Sequence, residues 1–240
     1  MNATQAALTT ERDRIHRRFA AAAAHELRTP LTGLRAELEE ARLHPGQTDL
    51  PRLLDAALRG VERLEAITDD LLLLTRVAEA TYGRQQPVDL SAVARAHVAE
   101  TAKTAKTAEG PDIRLRAAAP VVVDAVPALL DRLVANLLDN ARRCARHSIQ
   151  LQVRRHESTA ELVVADDGPG IPVSDRERVF ECFSRLDSAR CRQRGGTGLG
   201  LAIARDIAHA HSGTLDVEDA DAGARFVLRL PLARHAAGRP

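Results

Sequence analysis

The sequence predicts an α+β protein in two parts, an N-terminal antiparallel helical hairpin and a C-terminal α/β sandwich. Two observations support this prediction. Apolar residues recur at three- and four-residue steps over the first third of the chain, which is typical of amphipathic helices. Strand patterns interleaved with helical ones fill the remainder, and this arrangement favours a layered α+β fold over a strictly parallel sheet. We therefore expect residues 1–82 to form the hairpin domain and residues 83–240 the sandwich domain.

Composition narrows the class of protein. Aromatic residues make up only 2% of the chain, so the core must consist of aliphatic side chains. A net charge of +1 gives no electrostatic reason to expect nucleic acid as a partner. No apolar run approaches the ~20 residues that span a bilayer. We expect no membrane contact by this chain itself and a cytoplasmic location, with a membrane-anchored parent protein if the chain is a fragment.

The first helix is predicted from about Thr10, where Thr10 and Asp13 resemble a capping box, to Leu43. A break at residues 44–46 separates it from a second helix. The apolar positions of the first helix are Ile15, Phe19, Ala23 or Ala24, Leu27, Leu31, Leu34, Leu38 and Ala41. Those of the second are Leu50, Leu54, Leu58 or Val61, Leu64, Ile67, Leu71 and Leu74. Because a lone hairpin covers only one side of each stripe, pairing with a second copy into a homodimeric four-helix bundle is the expected completion.

Residues 82–87 have the composition of a linker, and the pattern changes after them. Helices are predicted over residues 88–103, 128–146 and 199–211. Short strands are predicted over residues 112–116, 121–123, 148–155, 160–166, 214–218 and 224–230.

His25 is the first candidate for chemistry. On a helix it shares a polar face with Thr29 and Thr32, away from the apolar stripe, so its imidazole should be exposed and often neutral. Glu26 can hold one ring N–H and leave the other nitrogen free to attack. An ordinary surface histidine is the alternative. Pro30 argues against it, because a proline inside a helical pattern kinks the helix close to His25.

Two glycine-containing motifs follow in the second part. Asp166-Asp167-Gly168-Pro169-Gly170 comes at the end of a predicted strand, where a carboxylate can accept from an amino group and the backbone turns sharply. A plain turn explains this motif equally well. The glycines of residues 195–200 precede a predicted helix, whose first amide groups suit an anion such as phosphate. A flexible hinge is the alternative there.

Asn136 and Asn140 are four residues apart and therefore share one face of the predicted helix. Carboxamide oxygens suit Mg²⁺ that is shared with substrate phosphates. A solvated helix face is the default explanation for two asparagines. Together with the two glycine motifs, a magnesium–nucleotide site becomes the better one.

In this order and at this spacing, the motifs resemble the signature set of bacterial sensor histidine kinases. The resemblance covers about residues 12–232. The matching segments are residues 21–34 (H-box), Asn136–Arg143 (N-box), Asp166–Gly170 (G1 box), Arg178–Arg185 (F-box) and Gly196–Gly200 (G2 box). Each segment alone is a weak signal, whereas the ordered set is specific.

The resemblance implies a nucleotide fold shared with certain chaperone and topoisomerase ATPases, with ATP and Mg²⁺ as its ligands. In such a fold Asp166 would accept from the adenine amino group, and Asn140, with Asn136 beside it, would hold Mg²⁺. Residues 168–198 would form a lid held by Phe180 and Phe183. The implied nucleotide-contacting residues are Asn136, Asn140, Arg143, Asp166, Gly168, Gly170, Phe180, Phe183, Arg185, Gly196, Thr197, Gly198, Leu199 and Gly200.

The same resemblance implies ATP-dependent phosphorylation of His25, assisted by Glu26, and transfer of the phosphoryl group to an aspartate of a response-regulator receiver domain. Thr29 would help to dephosphorylate that partner. Two other functions stay open from the residues: a catalytically silent nucleotide-binding scaffold, and an ATPase that forms no phosphoenzyme. The hairpin that contains His25 argues against the second of these.

Overall fold

The computed structural model describes residues 23–24, 27–46, 49–78, 83–104, 110–184 and 197–233. Contacts between Cα atoms divide the chain into two compact units, residues 1–72 and 73–240. The expected helix start at Thr10 and four expected site residues, His25, Glu26, Arg185 and Gly196, lie outside the described residues.

The helical hairpin predicted for the N-terminal part is confirmed. Helix α1 covers residues 27–43, with residues 23–24 also helical, and helix α2 runs Leu50–Ala78. Asp49 begins α2, because its carboxylate accepts the backbone N–H of Arg52 at 3.2 Å. The two helices meet at Gly60: a Cβ there would lie in ordinary van der Waals contact with Leu34 Cδ1, at 3.6 Å. Leu34 lies against Gly60, and Glu37 and Ala56 line the same groove, so later positions of α1 meet earlier positions of α2 and the hairpin is antiparallel.

The second unit is a mixed sheet with helices. Strand β1 is Gln86–Asp89, helix α3 Leu90–Thr104, β2 Asp112–Arg116, β3 Val122–Ala125, α4 Pro127–Cys144, β4 Ser148–His156, β5 Thr159–Asp166, α5 Gly200–Ala210, β6 Thr214–Glu218 and β7 Arg225–Pro231. Short 3-10 turns cover Val173–Asp175 and Arg178–Phe180. Five strands pair in the order β2-β4-β5-β7-β6. The β2–β4 pair is parallel and the other three are antiparallel, as expected for an α+β layer.

The core lies between this sheet and the helices. Alternate residues of β4, β5 and β7, among them Leu151, Leu162 and Leu228, are buried on one face of the sheet. Helix α4 places Leu130 and Leu133 among its buried residues. This core holds the end of β5 and the start of α5, where two of the motifs described below lie.

One region differs from the sequence prediction. Residues 82–87 were expected to be linker and a helix was expected from Val88, but strand β1 covers Gln86–Asp89 and pairs antiparallel with β3. The helix begins only at Leu90, because the Asp89 carboxylate accepts the backbone N–H of Ser91 at 2.9 Å and caps the helix. Within the described parts of the chain, no helix is both long and apolar enough to cross a membrane.

Candidate functional site

Asp166 is the buried acidic group at the end of β5, with only 5% of its surface exposed. Its Oδ1 accepts the backbone N–H of Gly168 at 2.8 Å and that of Ala224 at 3.4 Å. Its Oδ2 is buried and has no hydrogen-bond partner among the described residues. Burial raises the pKa of Asp166, although the two amides act in the opposite direction. An unpaired buried carboxylate oxygen fits an amino group supplied by a ligand.

Gly168 is required beside Asp166 for steric reasons. A Cβ at this position would lie 2.5 Å from the carbonyl oxygen of Cys144 and 2.7 Å from Asp166 Oδ1. Any side chain would therefore push the turn away from the end of α4. Gly170 follows with a φ of 76°. Gly168 and Gly170 thus let the turn after Asp166 pack directly on neighbouring backbone.

Asp167 was missed in the sequence reasoning, which assigned it no role. Its carboxylate accepts the backbone N–H groups of Arg146, His147 and Ser148 at 2.7 to 3.1 Å. Burial alone would raise the pKa of Asp167, but these amides lower it to about 2. Asp167 therefore fixes the end of β5, and with it Asp166, to the loop that follows α4. The sequence feature that could have indicated this role is the second aspartate directly after Asp166.

Asn136 and Asn140 lie on α4, both half-buried, four residues apart on one face. Asn136 Nδ2 is buried without a hydrogen-bond partner in the described residues. A Cβ on Gly200, the first residue of α5, would lie 3.5 Å from Asn136 Cγ. The start of α5 thus meets the asparagine face of α4. Arg143, also half-buried, lies in the last turn of the same helix.

The residues before α5 form a tight turn. Leu199 is fully buried, and its N–H donates to Thr197 Oγ1 at 3.2 Å. Gly198 has a φ of 72°, a conformation that favours glycine. The Gly198 carbonyl oxygen accepts the N–H of Phe183 at 2.8 Å. This bond brings the F-box segment to the start of α5, which is where a helix presents free amides to an anion.

Phe180 holds the other end of the F-box segment. Its buried ring lies edge-on to Phe226, with the centroids 6.2 Å apart. The Arg205 guanidinium lies 4.5 Å from the Phe180 centroid, and the same guanidinium forms a 2.8 Å ion pair with Glu177. Arg205 was not foreseen, because its two contacts join segments far apart in the sequence.

On the hairpin, Thr29 is exposed on α1 and Pro30 is half-buried. Arg28 and Thr32 are exposed as well. The predicted apolar stripe of α1 is not fully packed in the single hairpin, since its residues Leu31 and Leu38 are exposed.

Two family models match the chain. The first, His Kinase A (phospho-acceptor) domain, matches residues 15–80. The second, histidine kinase-, DNA gyrase B- and HSP90-like ATPase, matches residues 125–234 and therefore covers the site just described. A phospho-acceptor domain followed by this ATP-binding domain defines a protein histidine kinase, and the chain belongs to the sensor histidine kinases of two-component signal transduction.

Individual relatives agree with this assignment. The probable sensor histidine kinase TcrY of Mycobacterium tuberculosis is 37% identical over an alignment of 227 residues that covers 90% of this chain and 46% of the relative. The signal transduction histidine-protein kinase/phosphatase MprB of Mycobacterium avium is 37% identical over 256 residues, covering 98% of this chain and 45% of the relative. The chain thus spans about half the length of the curated relatives it matches.

Solved structures support the fold. A structure of the histidine kinase AdeS of Acinetobacter baumannii matches with a TM-score of 0.70 over 88% of this chain and 98% of that one. Its identity of 24% makes this a likeness of fold alone. The mycobacterial sensor histidine kinase MprB matches with a TM-score of 0.54 at 29% identity, over 62% of this chain and 97% of that chain.

Proposed function

We propose that this chain is the kinase core of a two-component sensor, which phosphorylates its own His25 with ATP and passes the phosphoryl group to an aspartate of a receiver domain. The observation that supports this most strongly is the unpaired Oδ2 of Asp166, in a domain that matches the ATP-binding family. Because ATP is its phosphoryl donor, we further propose that the core works in the cytoplasm.

Asp166 is the proposed adenine-recognising group. Its Oδ1 is already occupied by two backbone amides, so only Oδ2 is left for the exocyclic amino group of adenine. Gly168 and Gly170 let the turn after Asp166 pack on neighbouring backbone, and Asp167 fixes the position of Asp166.

The asparagine face of α4 and the start of α5 form the proposed phosphate end. Asn140 and Asn136 would hold Mg²⁺ through their carboxamide oxygens, and Mg²⁺ would neutralise charge on the phosphates. Arg143 and the amides of residues 196–200 would contact the phosphates directly. The half-buried position of both asparagines and the unpaired Nδ2 of Asn136 fit a polar ligand here.

His25 is the proposed nucleophile. A neutral ring nitrogen would attack the γ-phosphorus of ATP, a nitrogen–phosphorus bond would form, and the bond to the bridging oxygen would break to release ADP. Glu26 would hold the N–H of the other nitrogen. The phosphoryl group would then pass to an aspartate of a receiver domain. Thr29 is proposed to orient the water that later removes it, and the kinase/phosphatase names of MprB relatives favour this second activity.

We also propose a homodimer through the hairpin, with residues 1–82 as the dimerisation and phosphoacceptor domain and residues 83–240 as the catalytic domain. The exposed leucines of the hairpin support the dimer, since a second copy would bury them in a four-helix bundle.

Labelling with γ-³²P-ATP and Mg²⁺ tests the proposal against its two competitors. The kinase acquires covalent label that is labile in acid and stable in base, and mass spectrometry places it on His25. A silent scaffold binds nucleotide or nothing and acquires no label. An ATPase without a phosphoenzyme releases labelled phosphate while the protein stays unlabelled. Either of these two results would overturn the proposal.

A further inference from the structure

His211 is a buried histidine that none of the proposed catalytic steps uses. It follows the last residue of α5, and its side chain is 5% exposed. The ring makes two hydrogen bonds to the backbone: Nδ1 lies 2.8 Å from the carbonyl oxygen of Ile207, and Nε2 lies 3.0 Å from the backbone nitrogen of Val126.

The chemistry of these two partners fixes the state of the ring. The carbonyl oxygen of Ile207 can only accept, so Nδ1 must bear a hydrogen. The amide of Val126 can only donate, so Nε2 must be bare. The geometry therefore requires a neutral imidazole with the hydrogen on Nδ1.

The Val126 amide matters because Val126 is the N-cap of α4, a helix start that has no side-chain cap, and His211 Nε2 accepts the hydrogen of this amide. Among the contacts between α4 and α5, two show that the helices are antiparallel. One is His211 with Val126, and the other is Gly200 with Asn136. Asn136 comes ten positions after Val126, which is about 15 Å along the helix axis. The two contacts thus lie at opposite ends of α5.

We infer that His211 is a positioning residue that holds the N-terminal end of α4 against the C-terminal end of α5 and so sets the spacing between Asn136 and Gly200. This inference rests on the proposed nucleotide site, whose phosphate end lies between those two residues. It assigns His211 no contact with ATP. Loss of the His211 ring should weaken binding of the ATP phosphates and leave adenine recognition by Asp166 unchanged, because Asp166 lies at the end of β5.

Two substitutions separate the hydrogen bonds of the ring. In His211→Asn, the short amide can still donate to Ile207 but cannot reach Val126. In His211→Gln, the longer side chain can present an oxygen to the Val126 amide, and Ile207 keeps the backbone N–H of residue 211 at 3.2 Å. Only the first variant leaves the Val126 amide buried without an acceptor.

Affinities for ATP with Mg²⁺ and for AMP, measured by titration on the full chain below its melting temperature, give the readout. We expect His211→Asn to bind ATP about tenfold more weakly and AMP with less than about a twofold change, since AMP lacks the β- and γ-phosphates. His211→Gln should restore ATP binding. His209→Asn, an exposed position on the same helix, is the matched control and should match the wild type. A folded His211→Asn variant with unchanged ATP affinity, or with equal losses for ATP and AMP, overturns the inference.

The ring itself provides a test that does not depend on a variant folding. In the ¹⁵N-labelled wild-type chain, nitrogen chemical shifts show which ring atom bears the hydrogen. We expect a protonated Nδ1 and a bare Nε2 for His211 at neutral pH, and a protonated Nε2 would overturn the inference. A wild-type chain that binds no ATP would instead contradict the proposed function, while the ring measurement would still decide the geometry.

Discussion

The hairpin and the ATP-binding domain bury their apolar residues to different degrees. In the hairpin, Leu54 is 54% and Leu58 is 60% exposed, although both lie on the apolar stripe. In the ATP-binding domain, Leu130, Leu133 and Phe226 are fully buried. Apolar area left in water forfeits roughly 25 cal/mol per Å², so the hairpin is the part that gains most from a further partner.

In the part of the chain that the structure describes, the ATP-binding domain lacks hydrogen-bond partners for two buried polar atoms of the candidate site. Its apolar core is closed, but Asp166 Oδ2 and Asn136 Nδ2 are buried without partners among the described residues. The contrast shows that each region is incomplete in the terms of its proposed role. In the proposed function, a second copy would cover the exposed leucines of the hairpin, and a nucleotide would supply polar partners for the buried atoms of the site.

The largest effect is expected from charges in the hairpin stripe. The double substitution Leu54→Glu and Leu58→Glu should convert a dimer into a monomer at micromolar concentration, because it would bury four carboxylates in the bundle. Light scattering gives the mass. Val173→Glu is the control, since Val173 is an equally apolar and exposed residue of the other unit, at 75%. A dimer that survives the double substitution would show that the stripe is not the interface.

The next effect concerns the unpaired carboxylate oxygen. Asp166→Asn should weaken ATP binding roughly ten- to a hundredfold, because an amide NH₂ in place of Oδ2 faces the adenine amino group and a charge-assisted bond is lost. Titration with ATP measures it. Asp139→Asn, an exposed position on α4, is the control and should bind normally. Equal affinity in both variants would place the adenine elsewhere.

The sequence predicted most elements of both regions, because their patterns are local. Polar and apolar residues alternate in β4 and β6, β5 contains a short apolar run, and α4 has a strong apolar stripe. Strand β1 was missed because four residues with a proline have little periodicity, and the strand exists only through its pairing with β3. The parallel β2–β4 pair likewise depends on tertiary contacts that no local pattern encodes.

In the candidate site, too, residues defined by a local motif were predictable and residues that act through tertiary contacts were not. Asp166, Asn136 and Asn140 were predictable from motifs, since side-chain chemistry and spacing define them. Asp167 and His211 were not, because each acts on backbone amides of a distant segment, and a backbone amide has no sequence signature.

Asp167 gives a moderate effect on stability with a defined dependence on pH. Its folded pKa of about 2 lies below the unfolded value of 3.8, so it stabilises the fold by about 1 to 2 kcal/mol above pH 4, and this is lost as the pH falls through 2. Asp167→Asn should lower the free energy of unfolding at pH 7 by about that amount. Denaturant titrations of both proteins at pH 7 and pH 3 check it. A difference that does not shrink at the lower pH would contradict the role of the carboxylate.

The smallest effect is expected at Thr29. Thr29→Ala should leave labelling of His25 nearly unchanged and slow the loss of phosphate from a receiver domain several-fold, since the hydroxyl is proposed to orient water and not to assist the imidazole. If Thr29 instead supports the helix next to Pro30, both rates and the melting temperature should fall together.

The central claim is that the hairpin provides the phosphorylated histidine and the other domain provides the nucleotide site. Measuring covalent label and ADP affinity on one preparation of His25→Gln tests it most directly, with His44→Gln, an exposed histidine at the hairpin turn, as the control. The account predicts no label and wild-type ADP affinity for His25→Gln, and wild-type values of both for the control. Label that persists on His25→Gln would contradict the account.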